Sequence, residues 1–159
     1  MRQLLFVVLT TLLPVSSLLA QASATPFGSG CPGSNGTPVL SAGQGPALGQ
    51  SVTLDMTNLP LSGGFVWLMW STDSDNWAGN ALPLDLGFVG APGCMLNVRP
   101  DYNDFELQGA PVLSLTYYIP SNLTFLIGCR LLCQGMVCDG PANPLGYTST
   151  NALELLFGS

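Results

Sequence analysis

The chain has 159 residues, a formal net charge of −6, and no histidine; 47% of its residues are hydrophobic and only 8% are charged. That length fits one domain, and so few Lys and Arg cannot neutralise a phosphate backbone or hold an anionic lipid surface, which excludes nucleic acid as a partner. Without His the chain also lacks the usual general base, the commonest zinc ligand and the pH switch, so it cannot build a Ser-His-Asp or Cys-His nucleophile by itself.

Met1-Arg2-Gln3 is a short, singly positive start, followed by the apolar run Leu4 to Leu13 and a break at Pro14. Ala22-Ser23-Ala24 then fits the A-x-A cleavage pattern, with Ala20 as a second cleavage point. The pattern is that of a signal peptide over residues 1–24, leaving one domain over 25–159. The apolar run is well short of the roughly 20 residues of a membrane span, and no later segment is long and apolar enough to cross. The expected location is secreted, periplasmic or at the cell surface. Loss of Arg2 would leave two basic against nine acidic residues, a charge of −7.

Nineteen Gly and thirteen Pro argue against helices, since they cost about 1 and about 3 kcal/mol inside one. The mature chain reads as all-β. Residues 25–36 are a Gly/Ser/Pro-rich leading segment, and Thr37 to Ala42 is a short strand. Ser51 to Leu59 alternates cleanly, Val52, Leu54 and Met56 against Thr53, Asp55 and Thr57, as a strand with one wet face does. Phe65 to Ser71 is continuous enough to suit a strand covered on both faces. Leu82 to Leu86, interrupted by Pro83, reads as an edge or linking segment, and Met95 to Val98 as a strand. Asp101 to Asp104 reads as a turn and Phe105 to Gln108 as the start of the next strand. Val112 to Ile119, Phe125 to Asp139 and Ala152 to Phe157 complete the set. About eight short strands at this spacing predict an antiparallel β-sandwich of jelly-roll or Greek-key type.

Export permits disulfides. Cys31 and Cys94 occupy matching turn-like settings, Gly30-Cys31-Pro32-Gly33 and Pro92-Gly93-Cys94, and are expected to pair, a closure worth about 4 kcal/mol. Cys129, Cys133 and Cys138 cannot all pair within the chain. A second bridge among them needs a bend near Gly135, and their spacing without His is a poor match to metal-ligand patterns. Buried free thiols are the expectation.

Several separated pieces form an ordered set: Phe27-Gly28-Ser29-Gly30-Cys31-Pro32-Gly33-Ser34, Leu48-Gly49, Trp77-Ala78-Gly79 with Leu82-Pro83-Leu84-Asp85-Leu86, Gly90-Ala91-Pro92-Gly93-Cys94, Gln134, Asp139, Ala142-Asn143, Leu145-Gly146 and Ser149-Thr150-Asn151-Ala152-Leu153. The set resembles a family of small secreted β-domains of planctomycete-type bacteria, with no assigned activity, and it covers the whole mature chain. The chain departs from that pattern in Cys129, Cys133 and Cys138 and in Thr150. The resemblance implies an extracellular location and a shared scaffold rather than a reaction. The sequons Asn35-Gly36-Thr37 and Asn122-Leu123-Thr124 are expected to carry no glycan in such a bacterial protein.

Three side-chain groups could carry function. Asp73-Ser74-Asp75-Asn76 spaces oxygen ligands as calcium loops do, with Asp73 and Asp75 as the metal candidates, but it lacks the closing Glu of an EF-hand; local turn formation by Asp and Asn is the ordinary reading. Trp67, Trp70 and Trp77 could stack on sugars. Opposite parity sends one of Trp67 and Trp70 into the core, which leaves Trp77, with Asp73, Asp75 and Asn76, as the ligand-binding candidate. Asp85, Asp101, Asp104, Glu106 and Asp139 could supply a carboxylate pair for hydrolysis, though nothing in the sequence brings two of them together. The resulting expectation is a non-catalytic extracellular interaction or structural module with no cofactor, whose partner is a cell-surface glycan or an extracellular protein. A carbohydrate-binding module, assisted by calcium, is the alternative, and a carboxylate hydrolase comes third.

Overall fold

The computed structural model describes residues 20–159, and its strands pair only with antiparallel neighbours. In chain order they are β1 (Ser23–Phe27), β2 (Val39–Ala42), β3 (Ser51–Thr57), β4 (Gly64–Ser71), β5 (Asn76–Trp77), β6 (Asn80–Ala81), β7 (Leu84–Asp85), β8 (Met95–Leu96), β9 (Tyr102–Gln108), β10 (Leu113–Tyr118), β11 (Arg130–Cys138) and β12 (Tyr147–Leu156). β1, β12, β11, β4 and β9 form one sheet in that order, and β10, β3 and β2 a second. The fold is an all-β antiparallel sandwich. No helix among the described residues is long and apolar enough to cross a membrane.

The alternation in β3 does what its pattern predicts. Val52, Leu54 and Met56 are buried while the intervening residues face outward, and they pack between the sheets against Val66, Leu68 and Trp70 of β4, Cys133 and Val137 of β11, and Leu153 and Leu155 of β12. β12 lies between two neighbours and is covered on both faces, so even Thr148, Ser149 and Thr150 are buried. The bend foreseen near Gly135 is a β-bulge between Gln134 and Met136, where the hydroxyl of Thr150 accepts from the Gly135 N–H at 3.0 Å. The bulge makes no second bridge. Cys129, Cys133 and Cys138 are all free, but of these expected buried thiols only Cys133 is buried; Cys129 is exposed and Cys138 half-buried.

The outer face of the large sheet has a cover of its own. Residues 72–101 leave β4, cross that face and return to β9, burying Leu86, Ala91 and Leu96 against Met69 and Met136. Cys94 in this excursion is bridged to Cys31, with Cα atoms 4.8 Å apart, as expected. Gln134 fastens it again. Its Oε1 accepts from Asn97 N at 2.7 Å, and its Nε2 donates to Met95 O at 2.9 Å and Thr150 O at 2.8 Å.

Besides the thiols, four expectations differ from the structure. A strand, β1, lies where only a leading segment was read; Ser23 and Ala24, assigned to the leader, open it by pairing with Leu156 and Leu155. The rest of the leader, residues 1–19, lies outside the described residues. Asp101 to Asp104 is no turn, because Tyr102 to Asp104 already pair with Trp70 to Leu68. The run from Phe125 is divided: a 3-10 turn at Thr124–Leu126 precedes β11. Finally, β4 is not covered throughout, since Phe65 is 53% exposed.

Candidate binding face on the β4–β9 edge

The 72–101 excursion leaves part of the outer face bare. On β4 and β9 the outward residues pair across the ladder, Phe65 with Leu107 and Trp67 with Phe105. Phe105 is 67% and Leu107 75% exposed, and with Phe65 they form an apolar row in solvent. Trp67 and Phe105 stack with centroids 5.9 Å apart and planes 17° apart, and the Trp67 indole N–H donates to Asn103 Oδ1 at 2.8 Å. Contiguous exposed apolar rows of this kind mark contact surfaces more often than isolated apolar residues do.

The inner side of β9 has a different chemistry. Trp70 Nε1 donates to Asp104 Oδ2 at 3.2 Å, and Tyr117 on β10 stands edge-on to Trp70 at 5.5 Å. Burial, with the negative charges of Asp104 and Glu106 adding to it, pushes the Tyr117 phenol up to about 12. An open, largely apolar cavity of about 560 Å³ runs from here between the sheets, lined by Val52, Trp70, Asp104, Tyr117, Leu131 and Phe157 among others. β9 therefore carries an apolar row on one face and two carboxylates beside tyrosines on the other.

The candidates named from sequence are distributed differently. Asp73 Oδ2 accepts from Arg99 Nη1 at 2.6 Å and its Oδ1 from Asp75 N at 2.7 Å. Both oxygens are engaged, and a calcium ion between Asp73 and Asp75 would have to displace a guanidinium. Among the described residues no three His, Cys, Asp or Glu side chains gather to hold a metal ion. Asn76 is exposed in the two-residue strand β5. Trp77 is half-buried, packed with Trp67, Leu82 and Leu84 against the cluster over the disulfide. It caps core surface rather than presenting a bare ring.

The remaining acids hold the scaffold. Asp101 accepts from Arg99 Nε at 2.7 Å and from the Ser71 hydroxyl, and those bonds, Arg99 first, keep its carboxyl below the usual range. Asp85 caps a 3-10 turn by accepting from Gly87 N at 2.7 Å and Gly93 N at 3.1 Å. Asp139, buried, accepts from Ser34 N at 2.7 Å. Asp104 and Glu106 alone share one side of one strand, and neither donates nor accepts a bond to the other.

The chain matches no family model, no curated protein and no solved structure. The site therefore stands on its own geometry. Sequence reasoning passed over Phe65, Phe105 and Leu107. The signal was present in Phe105-Glu106-Leu107, an apolar–acidic alternation that gives a strand two distinct faces.

Proposed function

We propose that the chain is a secreted, non-catalytic interaction module that contacts another extracellular macromolecule through the β4–β9 face. The observation that carries this reading is the bare row of Phe65, Phe105 and Leu107, backed by the half-buried Trp67, on a sheet face otherwise roofed by the disulfide-tied excursion. The apolar, singly positive start of the chain and the Cys31–Cys94 bridge support export, since such bridges persist in oxidising compartments. Membership of the secreted β-domain family that the motifs resemble is part of the same proposal. The half-buried Trp77 and the Arg99-bound Asp73 make a surface contact on β9 the better reading than a loop site for sugar.

The test is a Phe65→Ser, Phe105→Ser, Leu107→Ser variant compared with the parent for retention in the surface fraction of producing cells. The expected result is a folded variant released to the medium while the parent is retained. Equal retention, or turnover of a polysaccharide by the purified protein, would contradict the proposal.

A further inference from the structure

We propose that β9 is an open strand edge that takes up an extended polypeptide in which apolar and basic residues alternate; this rests on the interaction-module reading and names its partner class. β9 ends the large sheet and pairs only with β4. The far side of such a strand presents unpaired N–H and C=O groups, a template for another strand. Other edges of the sandwich are blunted. β1 carries Pro26, β2 is four residues long, and β10 lies between Pro111 and Pro120. β9 is seven residues long with no Pro, Gly, Lys or bulge.

The side chains decide what can be added. An incoming strand would lay one set of alternate residues along Phe105 and Leu107 and the other along Asp104 and Glu106. The first set is matched by apolar residues. The second is matched by Lys or Arg, whose stems would run over Tyr102 and Tyr117 toward the carboxylates. A second copy of this chain is a poorer match, because the fullest self-pairing opposes like charges. Antiparallel β9–β9 pairing centred on Phe105 sets Asp104 against Glu106, and like charges directly opposite destabilise a ladder. Nor can the chain offer a basic strand, for Arg99 and Arg130 are both ion-paired and are the only cations among the described residues.

The probe is a peptide alternating Val and Lys, about nine residues long so as to span β9, titrated into the ¹⁵N-labelled full-length protein. Three comparisons accompany it: a Val/Glu peptide, the Val/Lys peptide N-methylated on alternate residues, and an Asp104→Asn, Glu106→Gln protein. The expected result is shifts centred on the amides of Tyr102–Gln108, weakened at least tenfold by the double substitution and by the N-methyl groups, and absent with Val/Glu. Shifts on the outer row that survive both N-methylation and the double substitution would overturn strand addition but leave the interaction module standing. Equal binding of Val/Glu, or no shift on β9, would overturn it as well. The double substitution keeps an oxygen for the Trp70 N–H, so an unchanged melting temperature separates lost binding from lost fold.

Discussion

Trp67 and Phe105, on neighbouring strands, stack at 5.9 Å, with Trp67 half-buried against the cluster over the disulfide and Phe105 67% exposed beyond it. Aromatic pairs contribute about 0.5–1.5 kcal/mol beyond area burial, and most of Phe105 already lies in water. Phe105→Ala should therefore lower unfolding free energy by about 1 kcal/mol in urea titration while abolishing partner contact. A loss above about 3 kcal/mol, the scale of a core truncation, would mark Phe105 as scaffold.

The cover over the rest of that face is held at two points, and removing each has a separate signature. The Cys31–Cys94 bridge closes a separation of 63 residues. Cys31→Ser with Cys94→Ser should cost about 4 kcal/mol, and the loss should act largely through the unfolded chain. Gln134→Leu instead strands the Asn97 N–H and the Thr150 carbonyl inside the protein, while the Met95 carbonyl keeps the Asn97 Nδ2 donor at 3.3 Å. Each orphaned buried group costs about 1–3 kcal/mol, so this single change should cost about as much as the loss of the disulfide. Urea midpoints of the two variants check both statements.

Alkaline pH should weaken the fold in a predictable window. Burial pushes the Cys133 thiol from 9.0 to about 12, and burial with nearby acids pushes the Tyr117 phenol from 10.0 to about 12. Both groups hold their protons more tightly folded than unfolded. Their contribution is thus fully present below pH 9 for Cys133 and pH 10 for Tyr117, and is lost as pH rises toward 12. The urea midpoint should fall across that range. Tyr117→Phe should make the fall above pH 10 shallower, and Cys133→Ala should remove the fall between pH 9 and 10 and make the rest shallower. Iodoacetamide at neutral pH should label the exposed Cys129 in the folded protein and Cys133 only after unfolding.

Under the proposed export, β1 decides where the leader would be cut. Cleavage after Ala24 would remove Ser23 and Ala24, which pair with Leu156 and Leu155. Ala20-Gln21-Ala22 fits the A-x-A pattern equally well, and cleavage after Ala22 leaves the strand whole. Intact mass of the exported protein should give Ser23 as the first residue; a Thr25 start would contradict this.

Much of the sandwich was legible because one-sided strands write their environment into a period of two. β3 declares itself through Val52, Leu54 and Met56, and the turn chemistry around Cys31 and Cys94 announced the bridge. β1 was hidden because it is short, contains Pro26 and adjoins a leader-like run. β9 was cut short because Tyr-Asn-Asp reads as a turn until the indole of Trp70 is seen to bond Asp104. The binding face was less legible still. Parity separates Trp67 from Trp70 but does not say which side the 72–101 excursion covers, and that covering decides which apolar residues stay bare.

Photo-crosslinking tests the central claim most directly. A photoreactive phenylalanine analogue would replace Phe105 in the exported protein, and a control would carry it at Thr116, on the outward side of β10 in the other sheet. The account expects a discrete adduct with an extracellular macromolecule from position 105 and none from position 116. Adducts of equal yield from both positions, or none from 105, would contradict it.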